Sequence, residues 1–307
     1  MDRTPFGGNT RGMATETEGM ATAAESITRS VGDEPARQAG DLLREARKSR
    51  RLSQLDLALK VGASQRHLSF VETGRSMASR GMLIALADAL GMSPAGCNQL
   101  LLASGFAPRY SQRALDDRHM EPVRQVLDHL LAVHDPMPAW VLDPCWNLLQ
   151  FNRGADRLLA GITGKGLSEL PGPVNILEAI LHPEGLRQAI ENFDEVAAHL
   201  YHQSHAESAH APALKDLLVR LAPLWPPTVS RRGGGGNGRG AAPPLSPVLS
   251  TRLRTPVGPL SFFSTFTTFG TPLDITVASL RVEHQFAADP QTAQAMRQLV
   301  AQQPMEN

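Results

Sequence analysis

The sequence predicts two domains of different class: an all-α N-terminal domain that contains a helix-turn-helix, then an α+β domain with a five-stranded antiparallel sheet. Three observations predict this division. From Asp41 to about Gly105, short amphipathic segments alternate with Gly and Ser punctuation, the pattern of a compact helical domain. Near residues 138–152, and again over 248–286, the texture changes to short apolar or aromatic runs bounded by Pro and Gly, the pattern of strands. A length of 307 residues is long for one domain and comfortable for two, since domains hold roughly 100–200 residues.

Residues 1–36 are rich in Gly, Thr, Ala, Ser and Met without a sustained apolar period. Such a segment buries too little to offset the entropy of ordering, so a disordered arm is expected. Five helices follow over 37–105. The first covers about 37–49, with Leu42, Leu43 and Ala46 as its apolar positions. The second is capped by Ser53, carries Leu55, Ala58 and Leu59, and stops at Gly62. The third, "SQRHLSFVETG", is capped by Ser64, turns Leu68 and Val71 inward and ends at Gly74. The fourth runs from Ser79 to Gly91 and the fifth from about Pro94 to Ala103.

Only Val61, Gly62, Ala63 and Ser64 separate the second helix from the third. A turn this tight holds two short helices at a steep angle, as in a helix-turn-helix. One side of the third helix is then buried, while Gln65, Arg66, His67 and Ser69 stay free near its N-terminal end, where a major-groove reader presents side chains to base edges. Local charge agrees. Residues 41–80 hold nine Arg or Lys against four acids, although the whole chain balances 30 basic with 30 acidic side chains. A basic face of this kind suits a polyanion such as double-stranded DNA. Helical pairs with glycine turns also occur in plain bundles, where a basic surface is only solvated.

The run "LLREARKSRRLSQLDLALKVGASQRHLSFVETGRSMASRGMLIALADALGMS" resembles the Cro/C1-type, or XRE, helix-turn-helix family, whose fold is lambda-repressor-like. The resemblance implies that Gln54, opening the second helix, anchors to phosphate and that the first residues of the third helix, from Ser64 on, touch bases. It makes Gln65 and Arg66 the best base readers, with Ser69 beside them and Arg66 suited to a bidentate contact with guanine. Arg44 and Arg75 are expected at phosphates. Phe70 keeps two readings, contact with a thymine methyl group or packing within the protein. Met77-Ala78 stands where relatives often carry a proline.

Residues 106–120, beginning "FAPRYSQRALDD", read as a polar connector, followed by a helix from Glu121 to His134. "PAWVLDPCWNLLQFN" holds two short apolar strands around Asp143-Pro144, a hairpin signal. Residues 153–225 return to helical texture, including "EGLRQAIENFDEVAAHLYHQSH". The run "RRGGGGNGRGAAPPLSP", 231–247, suits neither helix nor central strand and reads as a flexible loop. Two strands with Pro256–Pro259 at their turn come next, then a third long strand over "LDITVASLRVEHQF". Within 260–269, Leu260, Phe262, Ser264 and Phe266 share one face, while Ser261, Phe263, Thr265 and Thr267 share the other. Both faces are partly apolar, which predicts an interior strand. Residues 292–307 are left as a C-terminal tail.

Two strands, several helices and three further strands resemble a PAS sensor. More specifically, "PAWVLDPCWNLLQFN", "LHPEGLRQAIENFDEVA" and "STFTTFGTPLDITVASLRVEHQFAAD" resemble the ligand-binding domain of MmyB-like transcription regulators, here placed at 121–291. "LLASGFAPRYSQRALDD" resembles the junction of the same family, and the glycine-rich loop departs from it. The resemblance implies a small-molecule sensor that controls a DNA reader, with a fatty acid as the ligand class. Trp140, Leu148, Phe262 and Phe266 are the expected pocket lining, Arg187 the partner of a ligand carboxylate and Asn192 the residue that orients it. Core packing of the aromatics and an internal ion pair of Arg187 are the alternatives.

Other function classes are weaker. Cys97 and Cys145 are far apart and lack CxxC spacing, which argues against a disulfide scaffold or zinc site and favours a reducing, cytoplasmic setting. His199, His202 and His205 lie three apart on a helix with His210 beyond, but steps of three drift around a helix and no further ligand completes a set, so a solvated face is expected. No GxSxG, HExxH, P-loop or GxGxxG motif is present, so no enzyme and no cofactor are expected. No apolar run approaches the roughly 18 residues that span a bilayer, and no export signal is read. A homodimer is expected because helix-turn-helix readers commonly bind paired half-sites. In the alternative reading, the C-terminal domain serves that dimerisation, or a protein interaction, without any ligand.

Overall fold

The computed structural model describes residues 36–208, 211–230 and 248–301. Of the expected N-terminal arm only residue 36 is described, and the expected loop at 231–247 lies outside the described residues. The chain divides into two compact units, Met1–Ser111 and Gln112–Asn307, so the boundary falls inside the expected connector.

The first unit is helical: α1 (36–49), α2 (Gln54–Lys60), α3 (Gln65–Glu72), α4 (Arg80–Ala89) and α5 (Pro94–Ala103). Their starts are set by serine. Ser53, Ser64, Ser79 and Ser93 accept the N–H groups of Asp56, His67, Met82 and Gly96, each satisfying a donor that the first helical turn leaves open. Ser53 and Asp56 complete a reciprocal capping box. The core collects Leu43, Leu57, Leu68, Leu83, Leu86, Leu100 and Leu101, all buried. Gly40 lets α1 approach the end of α3, because a Cβ there would lie 2.6 Å from the carbonyl oxygen of Glu72.

The second unit begins with α6 (Glu121–His134), then a hairpin of β1 (Ala139–Leu142) and β2 (Leu148–Phe151). Five helices follow: α7 (Arg153–Thr163), α8 (Ile176–Leu181), α9 (Phe193–Ser208), α10 (Pro212–Leu221) and α11 (Pro227–Ser230). β3 (Ser250–Thr255), β4 (Gly258–Thr267), α12 (Ile275–Ser279), β5 (Arg281–Ala287) and α13 (Pro290–Ala301) complete it. The five strands form one sheet in the order β2-β1-β5-β4-β3 with antiparallel neighbours, an arrangement of PAS-like α+β kind. β4 is an interior strand, and β5 is the middle one.

Alternation along the strands sorts the two faces. Ala139, Val141, Leu280 and Val282 pack under Leu127 and Leu131 of α6. Leu142, Trp146, Leu260 and Phe262 belong to a larger core with residues of α7 to α11 and Met296 of α13.

Three sequence expectations change here. The long strand over 273–286 is shorter, because the Asp274 carboxylate accepts the Thr276 N–H and starts α12, delaying β5 until Arg281. The helical reading through 184–205 is interrupted: residues Leu186–Ala189 form only a 3-10 turn, Ile190 bridges to Leu253, and the Glu191 N–H donates to the Arg252 carbonyl at 2.8 Å. Pairing with β3 thus takes the backbone out of helix before α9. The expected tail continues as α13, whose Thr292 is fully buried and accepts the Ser261 N–H of β4 at its Oγ1, 3.0 Å away.

Candidate functional site

In the first unit, the turn between α2 and α3 contains Gly62 at φ +68, a left-handed conformation that glycine adopts without a Cβ clash. From there α3 buries Leu68, Val71 and Glu72 and exposes Gln65 and Arg66. Ser69 and Phe70 are half-buried, and Arg75 is exposed just beyond the helix. The Arg66 guanidinium lies over the Phe70 ring at 5.4 Å. Phe70 therefore supports the arginine on the protein surface and is not wholly withdrawn into the core.

Glu72 is the hub behind this face. It is 1% exposed and accepts both Nε and Nη2 of Arg47, at 2.7 and 2.9 Å. Gln54 Nε2 donates to its Oε2 at 2.9 Å, and Arg44 Nη2 to its backbone carbonyl at 2.8 Å. Burial pushes the Glu72 carboxyl up, but the hydrogen bonds of Arg47 and Gln54 and the charges of Arg47 and Arg44 outweigh it and hold the group below the usual carboxylate range. Helices α1, α2 and α3 are joined through this one carboxylate. Two residues expected at phosphates, Gln54 and Arg44, thus have partners within the protein, while Arg44 keeps 37% of its side chain exposed. Ser64 is engaged as the α3 cap, with His67 N–H 3.1 Å from its Oγ.

In the second unit a cavity of about 410 Å³ lies between the sheet and the helices. Trp140, Leu148, Phe262, Ser264, Phe266, Glu283 and Gln285 form its sheet wall, and Ala155, Leu158, Ile176, Val196, His199, Leu200 and Gln203 contribute to the helical wall. The Asp143 turn positions Trp146 in this wall. Asp143 Oδ1 accepts the N–H groups of Cys145 and Asn147 at 2.7 and 2.9 Å, and Trp146 sits at φ +66. That left-handed conformation costs roughly 1–2 kcal/mol for a residue with a Cβ. Burying the indole, 1% exposed, and donating its Nε1–H to Glu207 Oε2 at 3.0 Å offset the strain.

The expected lining residues Trp140, Leu148, Phe262 and Phe266 all meet at this cavity. Arg187 and Asn192, expected at a ligand's polar end, are not among the residues that line it. Arg187 stacks over Phe193 at 4.5 Å. Asn192 ties the segment before α9 to β3, donating to the Ser250 carbonyl at 2.8 Å and accepting the Arg252 N–H at 2.9 Å. The three helix histidines have separate surroundings: His199 reaches the cavity wall, while His202 and His205 meet Tyr201, the latter stacked at 3.8 Å. His210 lies outside the described residues.

Sequence reasoning missed the polar group in the cavity. Glu283, 8% exposed, accepts Trp140 Nε1 and Gln285 Nε2, both at 2.9 Å, and the hydroxyl of Ser264. Burial pushes its carboxyl above the usual range, against the hydrogen bonds of Ser264, Trp140 and Gln285 and the charge of Arg281. The signal was present in β5, where Arg281, Glu283 and Gln285 alternate with Val282, His284 and Phe286. In this middle strand Glu283 and Gln285 on one face and Val282 and His284 on the other are all buried, while Phe286 at the far end is exposed.

Comparison with known proteins places both units. Residues 43–96 match the helix-turn-helix family, and residues 123–299 match the family described as MmyB-like transcription regulator ligand binding domain. Among solved structures, the restriction-modification controller protein C.AhdI from Aeromonas hydrophila is 32% identical over 20% of this chain and 94% of its own, with a TM-score of 0.20. The clp gene regulator ClgR from C. glutamicum is 27% identical over 23% of this chain and 88% of its own, with a TM-score of 0.21. No match is found among curated proteins. Among the described residues no helix is long and apolar enough to cross a membrane. With a helix-turn-helix in its first unit and an apolar cavity in its second, the chain belongs to the MmyB-like transcription regulators, which join a DNA-binding helix-turn-helix to a ligand-binding domain.

Proposed function

We propose that the protein is a cytoplasmic, sequence-specific regulator whose first unit reads an operator as a homodimer and whose second unit senses a hydrophobic small molecule. The carrying observation is the coexistence of an exposed Gln65–Arg66 pair at the start of a short helix whose other residues are buried or half-buried with an apolar cavity elsewhere in the same chain. Gln65, Arg66 and Ser69 contact bases in this reading. Arg75 and the exposed part of Arg44 contact phosphate, and Gln54 joins them through the second N–H of its side-chain amide, the first being held by Glu72.

The cavity volume falls within the roughly 300–1,000 Å³ typical of small-molecule sites. A fatty acid, the class that the family resemblance suggests, would lay its chain against Trp140, Leu148, Phe262 and Phe266. Ligand binding shifts the population of the form that binds DNA, because a ligand moves an equilibrium only through its differential affinity for the two states. Phe286, 46% exposed on the opposite sheet face beside Phe263, favours that face for dimerisation. In the second reading, dimerisation through this face is the whole role of the domain.

The test is a titration on DNA from upstream of the protein's own coding region against scrambled DNA, at fixed salt, with and without fatty acid. Specific binding that shifts with lipid supports both parts. Specific binding indifferent to lipid leaves the DNA reader and moves the second unit toward dimerisation or another ligand, and equal binding to scrambled DNA overturns sequence-specific regulation.

A further inference from the structure

No Lys or Arg is among the described residues that line the cavity, yet a cation is packed against two of its lining rings. Arg281 alternates onto the same face of β5 as Glu283 and Gln285, and its side chain is only 12% exposed. Its guanidinium lies 4.1 Å from the Trp146 ring centroid and 5.5 Å from that of Phe266. Nη1 donates to Glu207 Oε1 at 2.7 Å. Glu207 also accepts Gln203 Nε2 and Trp146 Nε1, each at 3.0 Å, so α9 and the turn after β1 fix one side of the guanidinium.

The other side is unanswered. Nε and Nη2 of Arg281 are both buried, and neither has a hydrogen-bond partner among the described residues. Together these atoms form one edge of the planar fork, and two parallel N–H groups on such an edge match the two oxygens of a carboxylate. Arg47 uses the same edge on Glu72, at 2.7 and 2.9 Å. Buried donors are ordinarily paired, because leaving one unmade costs the desolvation of the group. The neighbouring polar groups do not answer these two, since Glu283 accepts from Ser264, Trp140 and Gln285.

We infer that Arg281 is the head-group anchor of the cavity and that its Nε–Nη2 edge takes the carboxylate of a fatty acid whose chain lies against Trp140, Leu148 and Phe262. This inference rests on the ligand-sensing reading above and fills the role that Arg187 does not. Trp146 is held by burial and by Glu207, whereas Phe266, near the end of β4, is 41% exposed, so rotation of the Phe266 ring opens the guanidinium to the cavity. The donors have already lost their water, so little reorganisation is left for the moment of binding. Burial moves Glu283 toward its uncharged form, which limits the repulsion an anionic head group meets there.

The experiment is calorimetric titration of the full-length protein with dodecanoate and with dodecanol at neutral pH. The expected result is binding of dodecanoate about tenfold or more tighter than dodecanol, as a charge-assisted bidentate contact supplies. Arg281→Met keeps the apolar stem and removes the fork, while Glu207 retains Trp146, Gln203 and contact with solvent. It is expected to weaken dodecanoate about tenfold or more and to leave dodecanol within a factor of about three. Equal or tighter binding of dodecanol by the wild type overturns the inference, and that ratio decides it even if the variant does not fold. An unchanged preference for dodecanoate in folded Arg281→Met also overturns it, while leaving the cavity as a lipid site. Failure of the folded wild type to bind either molecule overturns the ligand-sensing reading as well.

Discussion

Arg47 and Glu72 meet edge to edge, Nε on Oε1 at 2.7 Å and Nη2 on Oε2 at 2.9 Å, with both side chains withdrawn from solvent. A buried pair of this geometry is strongly destabilising when one partner is lost, because the other is left charged and unanswered. Glu72→Ala is therefore expected to destabilise the helical unit by about 3–5 kcal/mol. Urea unfolding followed by circular dichroism measures this. A loss below about 1 kcal/mol would mean that Arg47 finds water or another acceptor.

The two buried acids predict opposite pH slopes. Glu72 is held below the ordinary carboxylate range, so its contribution to stability is present above that range and is lost as pH falls through its depressed pKa. Glu283 is pushed above the range by burial, so its contribution is full below the unfolded value and is lost as pH rises through its raised pKa. Unfolding free energies measured over pH 3–8, for wild type, Glu72→Gln and Glu283→Gln, are expected to show each slope disappear in the matching variant.

On DNA, Arg66→Ala is expected to cost about 1–3 kcal/mol on the cognate operator and to relax preference at one base pair. Arg75→Ala is expected to weaken all sequences alike and to lower the salt slope by about one. Filter-binding titrations at several salt concentrations separate these two outcomes. Uniform loss in Arg66→Ala would make it a phosphate contact.

In the second unit, Arg187→Ala is expected to leave ligand affinity within a factor of about two, because Arg187 stacks on Phe193 and does not line the cavity. Phe262→Ala, removing a side chain only 2% exposed, is expected to cost about 3–5 kcal/mol of stability. Parallel ligand titration and thermal denaturation of both variants check the pair of outcomes.

Local rules made most of the fold legible. Serine caps and glycine stops placed α2 to α5 within a residue or two, and the Asp143-Pro144 turn placed the first hairpin. The misplacements came from tertiary partners that pattern does not display. Ile275, Thr276 and Val277 read as strand by their β-branches, yet one hydrogen bond to Asp274 starts a helical turn there. Arg187 looked like a ligand partner because charge is visible in a sequence, whereas the ring it stacks on is known only from the fold. Glu283 escaped because a polar residue on a strand reads as solvated until its strand is known to lie in the middle of the sheet.

That middle position has a further consequence, for the order in which the chain matures. β5 is the last strand in the sequence, yet it alone joins the β1–β2 hairpin to the β3–β4 hairpin. A nascent chain lacking Arg281–Ala287 therefore has two hairpins and no continuous sheet, and none of the wall that Glu283 supplies. The helical unit is built from local contacts and is complete by Ser111, while most of the chain is still to be synthesised. On the ribosome the helix-turn-helix unit can therefore form well before the ligand-binding domain, so each new molecule passes through an interval in which the first is folded and the cavity of the second does not yet exist.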